Sequence, residues 1–353
     1  MSESKHERPG VYSAYDASAV VSAGQAGKTI GVAAKAARGT AGEAVTITGY
    51  AAGVAAFGED TTPGMSTILR LLFANGAATV VAARVADAGG LADYQEAFEA
   101  LRRQDVQIMV CDSAEQTVQQ ALRTSVEDAS AGRRERIAVV GGDGDTAAEL
   151  VSRAAALNSE RMVLVGPDAL DGEGETLPGV FAAAAAAGVI ASGRDPAVPL
   201  NGAEVKGLGG LAVDYSDNDI DLLVRGGVTP LESVAGVVSP VRGITTRTTT
   251  NGASDTTWRE LTTILIVDDI IPAVRSALRS KFSRTKNTVR SRGAIRSQVI
   301  VELEKKIAAE IIDSYGEVSV TASPDDPTVC LVEFGFAVAH GLNQIYLTVH
   351  ITV

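Results

Sequence analysis

Three apolar runs decide the fold: Val106-Gln-Ile-Met-Val-Cys111, Arg136-Ile-Ala-Val-Val140 and Met162-Val-Leu-Val165. Each is short, almost uninterrupted and rich in branched side chains, which reads as a strand buried on both faces rather than one with a wet side. The stretches between them, Ala114–Ala131 and Thr146–Leu157, carry helical patterns. Strand and helix in alternation, with short connections, argue for a largely parallel sheet covered by helices on both sides.

The rhythm extends towards the N-terminus. Leu91–Arg103 reads as a helix and Thr79-Val-Val-Ala-Ala-Arg-Val85 as a strand. Pro63–Phe73 reads as a helix with proline in its first turn and Asn75-Gly76 as its stop. Thr29–Ala34 and Val45–Thr48 are short strand candidates. An α/β module over residues 26–238 follows. Residues 1–25 differ: Pro9 and Gly10 block a helix, and Val11, Tyr12, Val20 and Val21 favour extended chain. They form an N-terminal arm.

The last third changes character. Leu261–Val267 is β-rich, and Asp268–Phe282 then reads as a helix with Pro272 in its first turns. A second helix is expected over Arg290–Tyr315, with Ile295, Val299, Leu303, Ile307, Ile311 and Ile312 on one face and Gly316 as its stop. Val318–Ala322, a Ser-Pro-Asp-Asp-Pro turn, Val329–Ala339 and Gln344–Val353 complete an α+β pattern. The expected organisation is thus α/β plus α+β, with a core unit over 239–342 and a C-terminal strand arm over 343–353.

Composition narrows the function. With 46% hydrophobic and 21% charged residues a large core is available and global disorder is excluded. The net charge of −12 argues against nucleic acid or an anionic membrane as partner. The opening MSESKHERPG lacks the apolar core of a signal peptide, and the most apolar run, Phe181–Ala191, is too short to span a bilayer. The expected place of the chain is the cytoplasm, at least until assembly. Cys111 and Cys330 stand far apart in apolar runs and are expected to be buried thiols.

No catalytic constellation emerges. Histidine occurs only at His6, His340 and His350, so no Ser–His–Asp or Cys–His arrangement can be drawn from the α/β module. Gly24-Gln-Ala-Gly27-Lys28-Thr29 lacks the spacing of a phosphate loop and leads into a strand instead of a helix. Gly141-Gly142-Asp143-Gly144-Asp145-Thr146 reads as a turn that caps the next helix. The acids Asp214, Asp217, Asp219 and Asp221 read as loop and helix-start residues. No cofactor or metal is expected.

Two features point to partners. Between Ala273 and Val301 there is no acid, yet eight basic residues occur, among them Arg275, Arg279, Lys286 and Arg290. Arg275 and Arg279 share a helical spacing of four, which Lys286 and Arg290 repeat. A solvated face, nucleic acid and an acidic protein surface are the three readings. At the other end, Ile345, Leu347, Val349, Ile351 and Val353 alternate with Tyr346, Thr348, His350 and Thr352, and no charge occurs between Phe334 and Val353. Such a strand must be paired, because an uncharged free edge aggregates. It lies either inside its own unit or against a neighbouring copy.

Spread along the chain are short motifs that resemble the contractile tail sheath family of myophages and R-type tailocins. They are Arg8-Pro9-Gly10-Val11-Tyr12, Phe57-Gly58, Phe73-Ala-Asn75-Gly76, Val80-Val-Ala-Ala-Arg84-Val85, Val241-Arg242-Gly243-Ile244-Thr-Thr-Arg247-Thr with Trp258, and Phe282, Asn287 and Arg290. The resemblance implies a homopolymer of stacked hexameric rings around an inner tail tube, in contact with baseplate and tail terminator proteins. It implies an outer α/β module inserted in a core domain made by the two chain ends. It also implies terminal arms that add strands to neighbouring subunits, through Val11, Tyr12 and Val20 at one end and Ile345, Leu347, Val349 and Ile351 at the other. A core helix would face the tube, with Arg275, Arg279, Lys286 and Arg290 as its basic contacts. The competing expectation is a flavodoxin-like α/β enzyme or nucleotide-binding protein.

Overall fold

The computed structural model describes residues 27–86, 89–343 and 347–349. Val11, Tyr12, Val20, Ile345 and Ile351 lie outside them. In chain order the elements begin with β1 (Ile30–Lys35), β2 (Ala44–Ile47), α1 (Tyr50–Phe57), α2 (Met65–Ala74), β3 (Val80–Val85), α3 (Leu91–Arg102), β4 (Ile108–Cys111) and α4 (Gln116–Ala131). Then come β5 (Ile137–Gly141), α5 (Ala147–Leu157), β6 (Met162–Gly166), the short β7 (Ala169–Leu170) and β8 (Thr176–Leu177), and α6 (Gly179–Ser192). β9 (Gly210–Leu211), α7 (Asp217–Arg225), β10 (Val228–Val234), β11 (Val237–Pro240), β12 (Thr249–Thr250) and β13 (Ala253–Ser254) follow. The chain ends with α8 (Leu261–Phe282), α9 (Val289–Ala308), β14 (Ile312–Tyr315), β15 (Ser319–Ala322), β16 (Cys330–Glu333) and β17 (Phe336–Val338).

The three runs that decided the fold sit side by side. One sheet has the order β11-β10-β6-β5-β4-β1-β3-β2, parallel except at its two ends, where β2 and β11 run antiparallel. Alternate residues serve opposite faces, as the pleat requires. Ile108, Val110, Ile137 and Val139 join one core with α1, α2 and α6; Met109, Cys111, Ala138 and Val140 join the other with α3, α4, α5 and α7. The alanine run Phe181–Ala191 is a core helix, α6, buried almost all round between α2 and the sheet. Small side chains permit that approach: a Cβ at Gly188 would stand 2.7 Å from the Asn75 Cβ and 3.0 Å from the Leu72 carbonyl oxygen.

Local signals hold where caps decide. Thr146 accepts from the Glu149 amide and Glu149 reaches back to the Thr146 amide, so α5 begins in a capping box, with Gly144 at φ +69 in the turn before it. Ser216 and Asp219 do the same for α7. Asn75 ends α2, and Gly76 takes φ +89.

Four expectations are corrected in the last third. Leu261–Val267 is not β-rich structure but the start of the 22-residue helix α8. Branched residues favour strands only weakly, and burial overrides them here: Leu261, Ile264 and Leu265 fill the first core, while Ile266, Ile270 and Val274 fill a third one. Pro272 consequently lies mid-helix, not in a first turn. The second helix stops at Ala308, because Glu310 adopts a left-handed φ of +57 and Ile312–Tyr315 pairs with Phe336–Val338 as β14 against β17. Gly316 therefore follows a strand. The expected strand Val329–Ala339 breaks at Phe334-Gly335 into β16, paired with β15, and β17. Val299 and Leu303 of α9 face the third core as their spacing predicted, and Ile311, Ile312 and Val318, beyond the helix, close it.

Candidate assembly surfaces

The basic stretch divides into fixed and free halves. Arg275 on α8 makes a two-armed ion pair with Glu135, at 2.6 and 3.2 Å, tying the helix to the loop before β5. Burial would raise Glu135, but the Arg275 guanidinium and a backbone hydrogen bond outweigh it and hold the carboxyl below its ordinary value. Lys281 donates to Gln298 at 2.6 Å, Arg292 to Asn287 at 2.8 Å and Arg296 to the Val318 carbonyl at 2.8 Å. These four hold the fold. Arg279, Arg284, Lys286 and Arg290 are exposed. Lys286 lies in the α8–α9 loop and Arg290 in the first turn of α9, so the expected shared face of Lys286 and Arg290 does not form.

The strands of the third core are short of partners. Among the described residues β14 pairs only with β17 and β15 only with β16, so each two-stranded sheet has open edges. After β17 the chain crosses to the first core, where Gly341 lies against Pro199 and Asn343 accepts from Asn201 at 2.8 Å. Beyond that anchor Leu347 is 85% and Val349 67% exposed.

A cleft of about 570 Å³ opens at the N-terminal ends of the parallel strands, under α8. Lys28, Arg133, Arg134, Arg194 and Arg279 line it, and sequence reasoning overlooked it. Its acids are engaged: Glu135 with Arg275, Asp268 with Arg161 in a bidentate pair at 2.9 and 3.0 Å, Asp269 with Lys306, and Asp105 with Gln107. Burial lowers the Lys28 ammonium, which donates to the Gly193 carbonyl at 3.2 Å. Arg133-Arg134 beside Arg136 was the available signal, a second basic knot outside the stretch that drew attention.

At the opposite edge of the sheet, where doubly wound folds take their ligands, the chain fills its own crevice. A Cβ at Gly141 would lie 2.1 Å from the Gly179 carbonyl carbon, so the start of α6 presses directly on the end of β5. Asp168 accepts from the Gly144 and Gly179 amides at 2.7 and 2.8 Å. Burial, with Asp143 and Asp145 nearby, raises its carboxyl. Among the described residues no group of three or more His, Cys, Asp or Glu side chains could hold a metal ion, and no helix is long and apolar enough to cross a membrane. Lys28 precedes β1 rather than a helix. Cys111 is a buried free thiol pushed up to about 12 by that burial, and Cys330 is free and only half-buried.

The residues that carried the resemblance act as clamps. Asn75 donates to the Leu71 and Lys206 carbonyls and accepts from the Lys206 amide. Arg84 donates to the carbonyls of Ala36 and Gly39, and Asn287 to those of Pro327 and Val329. Arg242 pairs with Glu260, and Arg247 with Glu160 at 3.1 Å. The phage tail sheath protein central domain matches residues 88–246, and the phage tail sheath C-terminal domain matches residues 253–352.

The chain belongs to the phage tail sheath family.

A tail sheath protein of Bacillus phage SP01 is 28% identical over 267 residues, 73% of this chain. The chain matches 45% of that relative, about half its length. Among solved structures, the contracted helical sheath of the anti-feeding prophage aligns with a TM-score of 0.72 at 16% identity, covering 98% of this chain and 99% of that one. A sheath tail protein from Desulfitobacterium hafniense aligns at 0.69 and 11% identity, covering 93% and 100%. These likenesses establish the mixed α/β sheath fold, and the flavodoxin-like enzyme reading finds no support in them.

Proposed function

We propose that this chain is a structural subunit of a contractile tail sheath, polymerising as stacked hexameric rings around an inner tube. Its α/β module stands outside a core domain made by the chain ends, and tube-templated assembly holds an extended, higher-energy state that shortens to drive the tube through a target envelope. New subunit contacts supply the energy, and no nucleotide is consumed. Baseplate and terminator proteins cap the polymer, which becomes part of the phage tail or tailocin particle.

The observation that carries this reading is the set of open strand edges in the third core, together with the exposed Leu347 and Val349 further along the chain. A subunit with unpaired edges and exposed apolar side chains beyond its last anchor is unfinished alone and completed by copies of itself. Residues 11–21 and 344–353 are the proposed exchanged segments. Arg279, Lys286 and Arg290, exposed on and beside α8, are the proposed contacts to an acidic tube surface; Arg275 could join them only by sharing its guanidinium with Glu135. Negative-stain electron microscopy of the purified protein tests the proposal. Striated tubes or six-membered rings are expected; monomers at every concentration, together with saturable micromolar ATP or flavin binding, would overturn it.

A further inference from the structure

The α/β module has a charge polarity along its strands. At the N-terminal edge of the sheet is the cleft beneath α8, whose acids are all engaged, while Arg133, Arg194 and Arg279 stand exposed at its mouth. At the C-terminal edge the loops after β5 and β6 meet the start of α7. There Asp145 pairs with Arg153 at 2.8 Å and Asp219 is spent on the α7 capping box. Tyr215 lies against Gly166 at the end of β6, which brings the acids that flank it onto this rim. Asp143, Asp214 and Asp217 are exposed.

We infer that the basic cleft of one subunit receives the acidic rim of a second copy of this chain. The inference rests on the homopolymer proposed above and adds the surfaces that meet. A contact between two different faces cannot close on itself as a twofold contact does, so it propagates into rings or open arrays. Opposed potentials also fix which way round the copies meet, because the reversed orientation sets like charges together. A chain of net charge −12 repels a second copy on average, so a contact that sets opposite charges together offsets that repulsion where the copies meet.

The test uses the full chain and three variants. Arg133→Glu/Arg194→Glu reverses the cleft mouth, Asp214→Lys/Asp217→Lys reverses the rim, and the third variant carries all four changes. All four affected positions are exposed, so melting temperatures should stay at that of the parent. Each two-site variant is expected to raise the critical concentration for tube formation at least about tenfold, and the four-site variant to restore it. Two-site variants that polymerise like the parent overturn the inference and leave the sheath reading standing. A four-site variant as defective as its parents overturns the complementarity. Cleft variants that polymerise but melt lower assign these arginines to the stability of the subunit itself, again overturning it. A parent chain that never polymerises removes the sheath reading and this inference together.

Discussion

Replacing Leu347 and Val349 with Asp together would test whether the C-terminal run is completed by a neighbour. Within the subunit these side chains are 85% and 67% exposed, so the fold loses almost nothing; exposed substitutions usually stay within about 0.5 kcal/mol. In the polymer the balance changes. At roughly 1.5–3 kcal/mol for a fully buried apolar side chain, seating the exposed fractions of both is worth about 3 kcal/mol. Added backbone hydrogen bonds bring about 0.5–1.5 kcal/mol each, set against an ordering cost of about 1–2 kcal/mol per residue. The net gain per contact is therefore small, and losing about 3 kcal/mol of it reverses the sign. The expected result is a monomer that melts with the parent by circular dichroism, and a critical concentration at least about a hundredfold higher by sedimentation. A variant that melts several degrees lower would show that the strand belongs to its own core. One that forms tubes at the parent concentration would show that these side chains meet no neighbour.

Other perturbations reach the tube contacts and the interior. Lys286→Glu/Arg290→Glu, at exposed positions outside the cleft, should leave the subunit folded and tube-free polymerisation intact while abolishing co-sedimentation with the inner tube; full-length sheaths on tubes would count against that role. Gly188→Val should cost at least about 1–3 kcal/mol by forcing α2 and α6 apart, read as a lower urea midpoint. Ile266→Ala, at a fully buried position, should cost about 2–5 kcal/mol, and calorimetry should still show one transition because α8 belongs to two cores. Burial, opposed by Arg161, raises Asp268 above its ordinary 3.8. The fold therefore holds that proton more tightly than the unfolded chain, and the corresponding stability is full below 3.8 and fades as pH rises through the raised folded value. Asp268→Asn should remove that part of the pH slope from urea-unfolding curves; an unchanged slope would refute the assignment.

The parallel sheet was legible because its strands are buried on both faces, which leaves an almost continuous apolar signature at 106–111, 136–140 and 162–165, broken only by Gln107 and Arg136. Caps were legible where side chain and backbone meet within three residues, as at Thr146 and Glu149. The region around α8 was not. Its first turns carry Thr, Ile and Val, whose local preference is for strands, and only the two cores that grip opposite ends of the helix overrule it. The end of α9 was hidden for a similar reason: the apolar spacing from Ile295 to Ile312 suits a continuous helix, but Ile312 is needed by β14 against Val338. The basic stretch showed its charge in the sequence but not its division, since partners such as Glu135 lie 140 residues away. The cleft went unseen because its cations come from separate loops that only the sheet brings together.

Helix α8 has a mechanical consequence. Its 22 residues run about 33 Å without a loop, from Leu261 in the first core to Val274 and beyond in the third. Two ion pairs, Arg161–Asp268 and Arg275–Glu135, brace it sideways against the sheet. Apart from the one helical hydrogen bond that Pro272 cannot make, a torque applied at the smaller unit thus meets no break along this strut in which to dissipate. It reaches the periphery as rotation of the whole body, and any flexing of the assembled particle is left to the joints between one copy and the next.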